Sequence, residues 1–151
     1  MMHSLISIIS ILSIFSTCSS CEKNNNVTPG NTNMSSNKLL IKIGSNTFNV
    51  TLQDNPTTGT FKAMLPLTID MKELNGNEKH AELSRYLLTN ASNPGMIQTG
   101  DLMLYGSNTL VLFYQSFSTP YSYTRIGRIN DATGLAAAVG SGNVTVTFEL
   151  E

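Results

Sequence analysis

Tryptophan is absent from this sequence, and histidine and cysteine occur only twice each. Both cysteines, Cys18 and Cys21, and one histidine, His3, lie near the N-terminus, so only His80 remains for the rest of the chain. A metal centre needs several His, Cys, Asp or Glu at ligand spacing, and that set is missing, so no metal site and no cofactor are expected. A Ser-His-Asp device would have to use His80, which falls in a polar stretch read as a solvated loop, and no Gly-x-Ser-x-Gly turn exists to expose a serine. No catalytic residue is therefore assigned. Charge is sparse as well, at 13% of residues with a formal net of -1. The nine Lys and Arg form no clustered basic face, which argues against nucleic acid as a partner. The glycines of "VGSGN" follow a predicted helix, so they cap it and do not cradle phosphate. There is no internal repeat.

The first segment reads as a leader. "LISIISILSIF" (Leu5 to Phe15) is too short to span a bilayer, which takes roughly 20 residues, and has the size of a signal-peptide core. The "MMHS" before it lacks the usual basic residue. "FSTCSSCEKNNN" then sets two cysteines behind small residues, which resembles the lipobox of bacterial lipoproteins. Cys21, after Ser19 and Ser20, is preferred as the lipidated residue over Cys18, whose apolar Phe15 stands three places back. The two are poor disulfide partners because the loop between them is so short. "EKNNNVTPGNTNMSSN" has almost nothing to bury and reads as a flexible tether. The expected organisation is a signal peptide over 1–20, a tether over 21–37 and one domain over 38–151, exported and held to a membrane through its lipid anchor only.

The domain opens with strands. Leu40 to Ile43, a "GSN" turn and alternating Phe48, Val50 and Leu52 predict a β-hairpin. Asn55-Pro56 looks like a helix N-cap with proline at the first position, and Phe61, Met64 and Leu65 share one face until Pro66 stops the pattern. Alternation returns in "LPLTIDMKEL". "EKHAELSRYLLTNASNPG" reads as mostly irregular. "GDLMLYGSNTLVLFYQSF" is a second hairpin, "YSYTRIGRI" a strand from Tyr121 to Ile129, "NDATGLAAAVGSG" a short helix capped near Asp131 and closed by Gly140, and "NVTVTFELE" the last strand. Such short elements favour a mainly antiparallel, closed β-barrel plugged by two short helices, because closure removes exposed sheet edges.

Together, "DNPTTGTFKAMLPLTIDM", "ELNGNEKHAEL", "GDLMLYGSNTLVLFYQSF" and "YSYTRIGRI" resemble the small bacterial cyclophilin-like proteins, whose closed β-barrels are related to peptidyl-prolyl isomerases. The likeness covers nearly all of 38–151. It implies a cyclophilin-like barrel, but the residues that would imply isomerisation are missing. The strand matching the arginine-bearing one of true cyclophilins, "PLTIDMKEL", has no arginine, and the Trp and His of their proline pocket have no counterpart.

What remains is an aromatic cluster beside arginines. Tyr105, Phe113, Tyr114, Phe117, Tyr121 and Tyr123 gather on the second hairpin and the strand after it. By alternation, Arg125 shares a face with Tyr121 and Tyr123, while Arg128 falls on the other. The apolar "LVLFY" strand is read as mostly barrel core, with Tyr114 and Gln115 reaching a surface groove. The candidate ligand-binding set is Tyr105, Phe113, Tyr114, Gln115, Tyr121, Tyr123 and Arg125, suited to an extended peptide or a small anionic ligand. A non-catalytic binding module is the leading expectation. A weak prolyl isomerase using Arg125, and a surface scaffold whose aromatics only pack, stay open beside it.

Overall fold

The computed structural model describes residues 37–151. The predicted leader, both cysteines and all but the last residue of the tether lie outside the described residues. The described chain forms strands β1 (Lys38–Ile43), β2 (Asn46–Leu52), β3 (Leu67–Leu74), β4 (Glu78–Glu82), β5 (Met96–Ile97), β6 (Asp101–Tyr105), β7 (Thr109–Phe113), β8 (Phe117–Ser118), β9 (Thr124–Ile129) and β10 (Val144–Leu150). Helices α1 (Pro56–Lys62) and α2 (Leu135–Val139) interrupt them. Eight strands close into a barrel in the order β1-β10-β3-β4-β7-β6-β9-β2, every pair antiparallel, and β5 with β8 forms a separate two-stranded arm. The predicted architecture of a closed antiparallel barrel with two short helices is the one observed.

Period-two alternation supplies the interior. Leu39, Ile41 and Ile43 of β1 meet Phe48, Val50 and Leu52 of β2, and Val146 and Phe148 of β10 complete that side. The β1–β2 hairpin turns at Gly44, whose φ of +57° suits glycine. Both helices feed the same cluster, α1 through Phe61, whose ring meets Phe148 edge-on at 5.9 Å, and α2 through Leu135 and Val139. Asn55 caps α1 as expected: its Oδ1 accepts from the Thr58 N–H at 2.9 Å while its Nδ2 donates to the Arg125 carbonyl, tying the helix start to β9.

Three local expectations need correction. His80 lies in β4, half-buried, and not in a loop; β4 is polar on its outward side, so the hydrophobic pattern could not reveal it. Asp131 does not cap α2: its carboxylate closes the preceding turn on the Thr133 N–H, and Gly134, at φ +81°, holds the N-cap position. Arg128 does not fall on the face opposite Arg125. The β6–β9 register slips between Leu102 and Met103, so that Leu102 stands against Gly127 while Met103 stands against Arg125. That bulge inserts one residue into β9, and both guanidinium groups reach Asp101.

Gly127 is required by close approach. A Cβ there would sit 2.8 Å from the Thr51 carbonyl oxygen and 3.0 Å from a Val50 methyl. Gly127→Ala is therefore expected to lower the unfolding free energy by about 2 kcal/mol, read as a reduced urea midpoint at unchanged m-value, because the β2–β9 pair must spread to admit one methyl group.

Candidate functional site

The site grows from β7, whose sequence TLVLF is apolar on both sides. Leu110 and Leu112 enter the barrel interior, while Val111 and Phe113 face outward into a second cluster with Ile97, Met103, Tyr123 and Phe117. The β5–β8 arm covers that cluster, and Phe113 under it is fully buried, 5.4 Å from the Tyr123 ring and 5.7 Å from that of Phe117. Beyond the arm the outer face stays open. There Tyr105 stands 5.6 Å from Tyr123 and meets Tyr121 edge-on at 6.1 Å. These rings wall a groove of about 430 Å³, lined also by Asn77, Glu78, His80, Glu82, Thr109 and Val111.

Of the expected ligand-binding residues, Tyr105, Tyr121 and Tyr123 line this groove, and Phe113 packs beneath it. Tyr114, Gln115 and Arg125 do not. Gln115 is exposed outside the groove. Arg125 lies beside Arg128 on a separate face, where Nη1 of Arg125 stands 3.7 Å from Asp101 Oδ1 and Nε of Arg128 donates to the same oxygen at 2.5 Å. Asp101 is fully buried, and its other oxygen accepts from the Gln98 N–H. This accounts for the Gly-Asp pair before β6: Gly100 holds φ +90° with no room for a side chain against Ile129, and Asp101 gathers both arginines.

Tyr114 turns into the main core cluster. Its hydroxyl donates to Glu73 Oε1 at 2.8 Å, and its ring lies 5.2 Å from the Lys79 ammonium. Lys79 is fully buried. It donates to the other Glu73 oxygen and to the carbonyls of Gly140 and Gly142 at 2.8 and 2.6 Å, so one ammonium ties β3, β4 and the segment closing α2. Burial alone would raise the Glu73 carboxyl, but hydrogen bonds from Lys79, Tyr114 and the Gly76 N–H outweigh it and hold the group below its ordinary range. Burial, and then the bond and charge of Glu73, push the Tyr114 phenol up to about 12.

The groove side of β4 contrasts with this. Glu78 is 9% exposed, and no hydrogen bond or ion pair engages its carboxylate among the described residues. Burial, with the Glu73 charge adding to it, raises the Glu78 carboxyl above its ordinary value. Burial, and then the nearby Glu78 charge, raise Tyr123 as well. The sequence reading missed Asn77, Glu78, His80 and Glu82. The available signal was the alternation of Glu78, His80 and Glu82 against Lys79 and Ala81, a strand period without the apolar stripe that makes one easy to see.

The fold is a closed eight-stranded antiparallel barrel with an open groove on its outer wall. The family model described as the cyclophilin-like family matches residues 41–149, and the chain belongs to that family. The solution structure of a hypothetical protein from Archaeoglobus fulgidus has a similar fold, with a TM-score of 0.56 at 17% identity over 77% of this chain and 95% of that one. No curated protein matches the chain.

Breaking the Lys79 knot leaves one Glu73 oxygen and two carbonyls without a donor, so Lys79→Met is expected to destabilise by about 3 kcal/mol in urea unfolding. Tyr114→Phe removes one hydrogen bond and is expected to cost about 1 kcal/mol at pH 7. Its second effect is in alkali. With the folded-state phenol raised, the unfolded chain loses its proton first, so the parent protein's stability is intact below pH 10 and falls from there toward pH 12. Tyr114→Phe lacks that part of the loss, and the gap between the two proteins is expected to narrow over this window.

Proposed function

We propose that this chain is an exported lipoprotein whose cyclophilin-like barrel is a non-catalytic module, holding an extended peptide or a small molecule in the outer aromatic groove. The observation that carries this reading is the open groove itself: Tyr105 and Tyr121 are 46% and 58% exposed around a cavity of about 430 Å³, without side chains filling it. Exposed aromatic rings beside a few polar groups are the usual make-up of a binding cleft. The same openness weighs against a plain scaffold. The placement of arginine supports the absence of turnover, because Arg125 and Arg128 are engaged by Asp101 and neither lines the groove. The lipid anchor rests on the leader, the small residues before Cys21 and the tether.

A thermal-shift screen of the full chain against peptide and metabolite libraries tests the binding role. Tyr121→Ala is expected to weaken true hits about tenfold while moving the melting temperature by less than about 2 °C, because the ring is exposed. Hits that bind this variant as well as the parent would remove the groove from consideration. A protease-coupled prolyl isomerisation assay is expected to show no rate above background, and a clear rate would overturn the non-catalytic reading. For the anchor, Cys21→Ser is expected to release the protein from membranes and Cys18→Ser to leave it bound. Membrane retention after both replacements together would contradict lipidation.

A further inference from the structure

Two polar groups on residues that line the groove lack a hydrogen-bond donor. Asn77 Oδ1 is buried with no hydrogen-bond partner. Glu78 as a residue is nine-tenths buried, yet its carboxylate oxygens reach solvent and have no partner among the described residues. A carboxylate with so little solvent around it gains from a cation beside it. Lys79, the next residue, is spent inside the barrel on Glu73 and two carbonyls, and Arg125 and Arg128 serve Asp101. Lys72, opposite His80 in the β3–β4 register, and Arg85 do not line the groove. His80 aside, no residue lining the groove can carry positive charge, whereas Glu78 and Glu82 carry negative charge. The tyrosine rings act in the same direction, since aromatic faces attract cations and not anions.

We propose that the groove recognises an alkylammonium group, with Glu78 as its ion-pair partner and Tyr105, Tyr121 and Tyr123 as the surrounding rings. This rests on the binding role proposed above and reverses the ligand charge expected from sequence, where Arg125 was to face an anion. An extended peptide bearing lysine complements the negative charge of Glu78 and Glu82 in the lining. A free alkylamine carries the same chemistry without the peptide.

The test is calorimetric titration of the full chain at pH 8 with acetyl-Ala-Lys-Ala-amide, its norleucine and glutamate counterparts, and n-butylammonium chloride. The lysine peptide is expected to bind about tenfold tighter than the norleucine one, and the glutamate peptide to give no binding heat. In Glu78→Gln the lysine advantage is expected to vanish while norleucine binding holds within about twofold, and the melting temperature is not expected to fall, because an unpaired charge with little solvent around it has been removed. Butylammonium binding as tight as the peptide supports recognition of the ammonium alone, and weaker binding supports the peptide. A norleucine peptide that binds as well as lysine, a preference for glutamate, or a lysine advantage that survives Glu78→Gln would overturn the inference. Those results leave the binding role standing, since it is judged by the dependence of library hits on Tyr121. If none of the four probes binds, the cation inference fails and the library screen alone decides the role.

Discussion

Strand β7 cannot touch water on either face, and much of the molecule is arranged around that constraint. Leu110 and Leu112 are satisfied by closing the barrel, but Val111 and Phe113 on the outside need a second cover. A single sheet wall does not supply one. The chain provides it with the β5–β8 arm, which lays Ile97 and Phe117 over the outer cluster. A cover of two residues per strand is short, however. Where it ends, the same apolar surface runs on into Tyr105, Tyr121 and Tyr123, and the groove is that uncovered continuation.

The alternation of β4 then sorts charge to the two sides of one wall. Lys79 goes inward and meets a full set of partners, while Glu78, His80 and Glu82 go outward to the groove. Side-chain period is two, so a shift of one residue would exchange these sets and place the ammonium in the groove. The register is held by neighbours on both edges, with Glu78 opposite Phe113 on one side and Leu74 on the other. Core packing and groove charge therefore depend on the same pairing.

Much of this is written in particular residues. The hairpin at Gly44, the Asn55-Pro56 cap, the last strand from Val144 and the "LVLFY" hairpin all follow from alternation and turn chemistry, and the structure has them. Site placement was less legible for three reasons. A bulge in β9 brought Arg125 and Arg128 to one carboxylate, and strand alternation cannot anticipate an inserted residue. Tyr114, expected at a surface groove, turned into the core instead, because which face of a doubly apolar strand is inside depends on closure and not on pattern. Polar β4 gave hydrophobic periodicity nothing to detect, although it supplies the floor of the groove.

In the proposed binding mode, ligand lies on the outer wall over β4 and β7, and not at the arginine face of β9. Backbone amide chemical shifts of the full chain, followed while acetyl-Ala-Lys-Ala-amide is added, test it most directly. The account predicts that the largest shifts fall at residues 77–82, 105–111 and 117–123, with Thr51, Gln53 and Arg128 unmoved. Shifts centred on Thr51, Arg125 and Arg128, or none in the groove at saturating peptide, would contradict it.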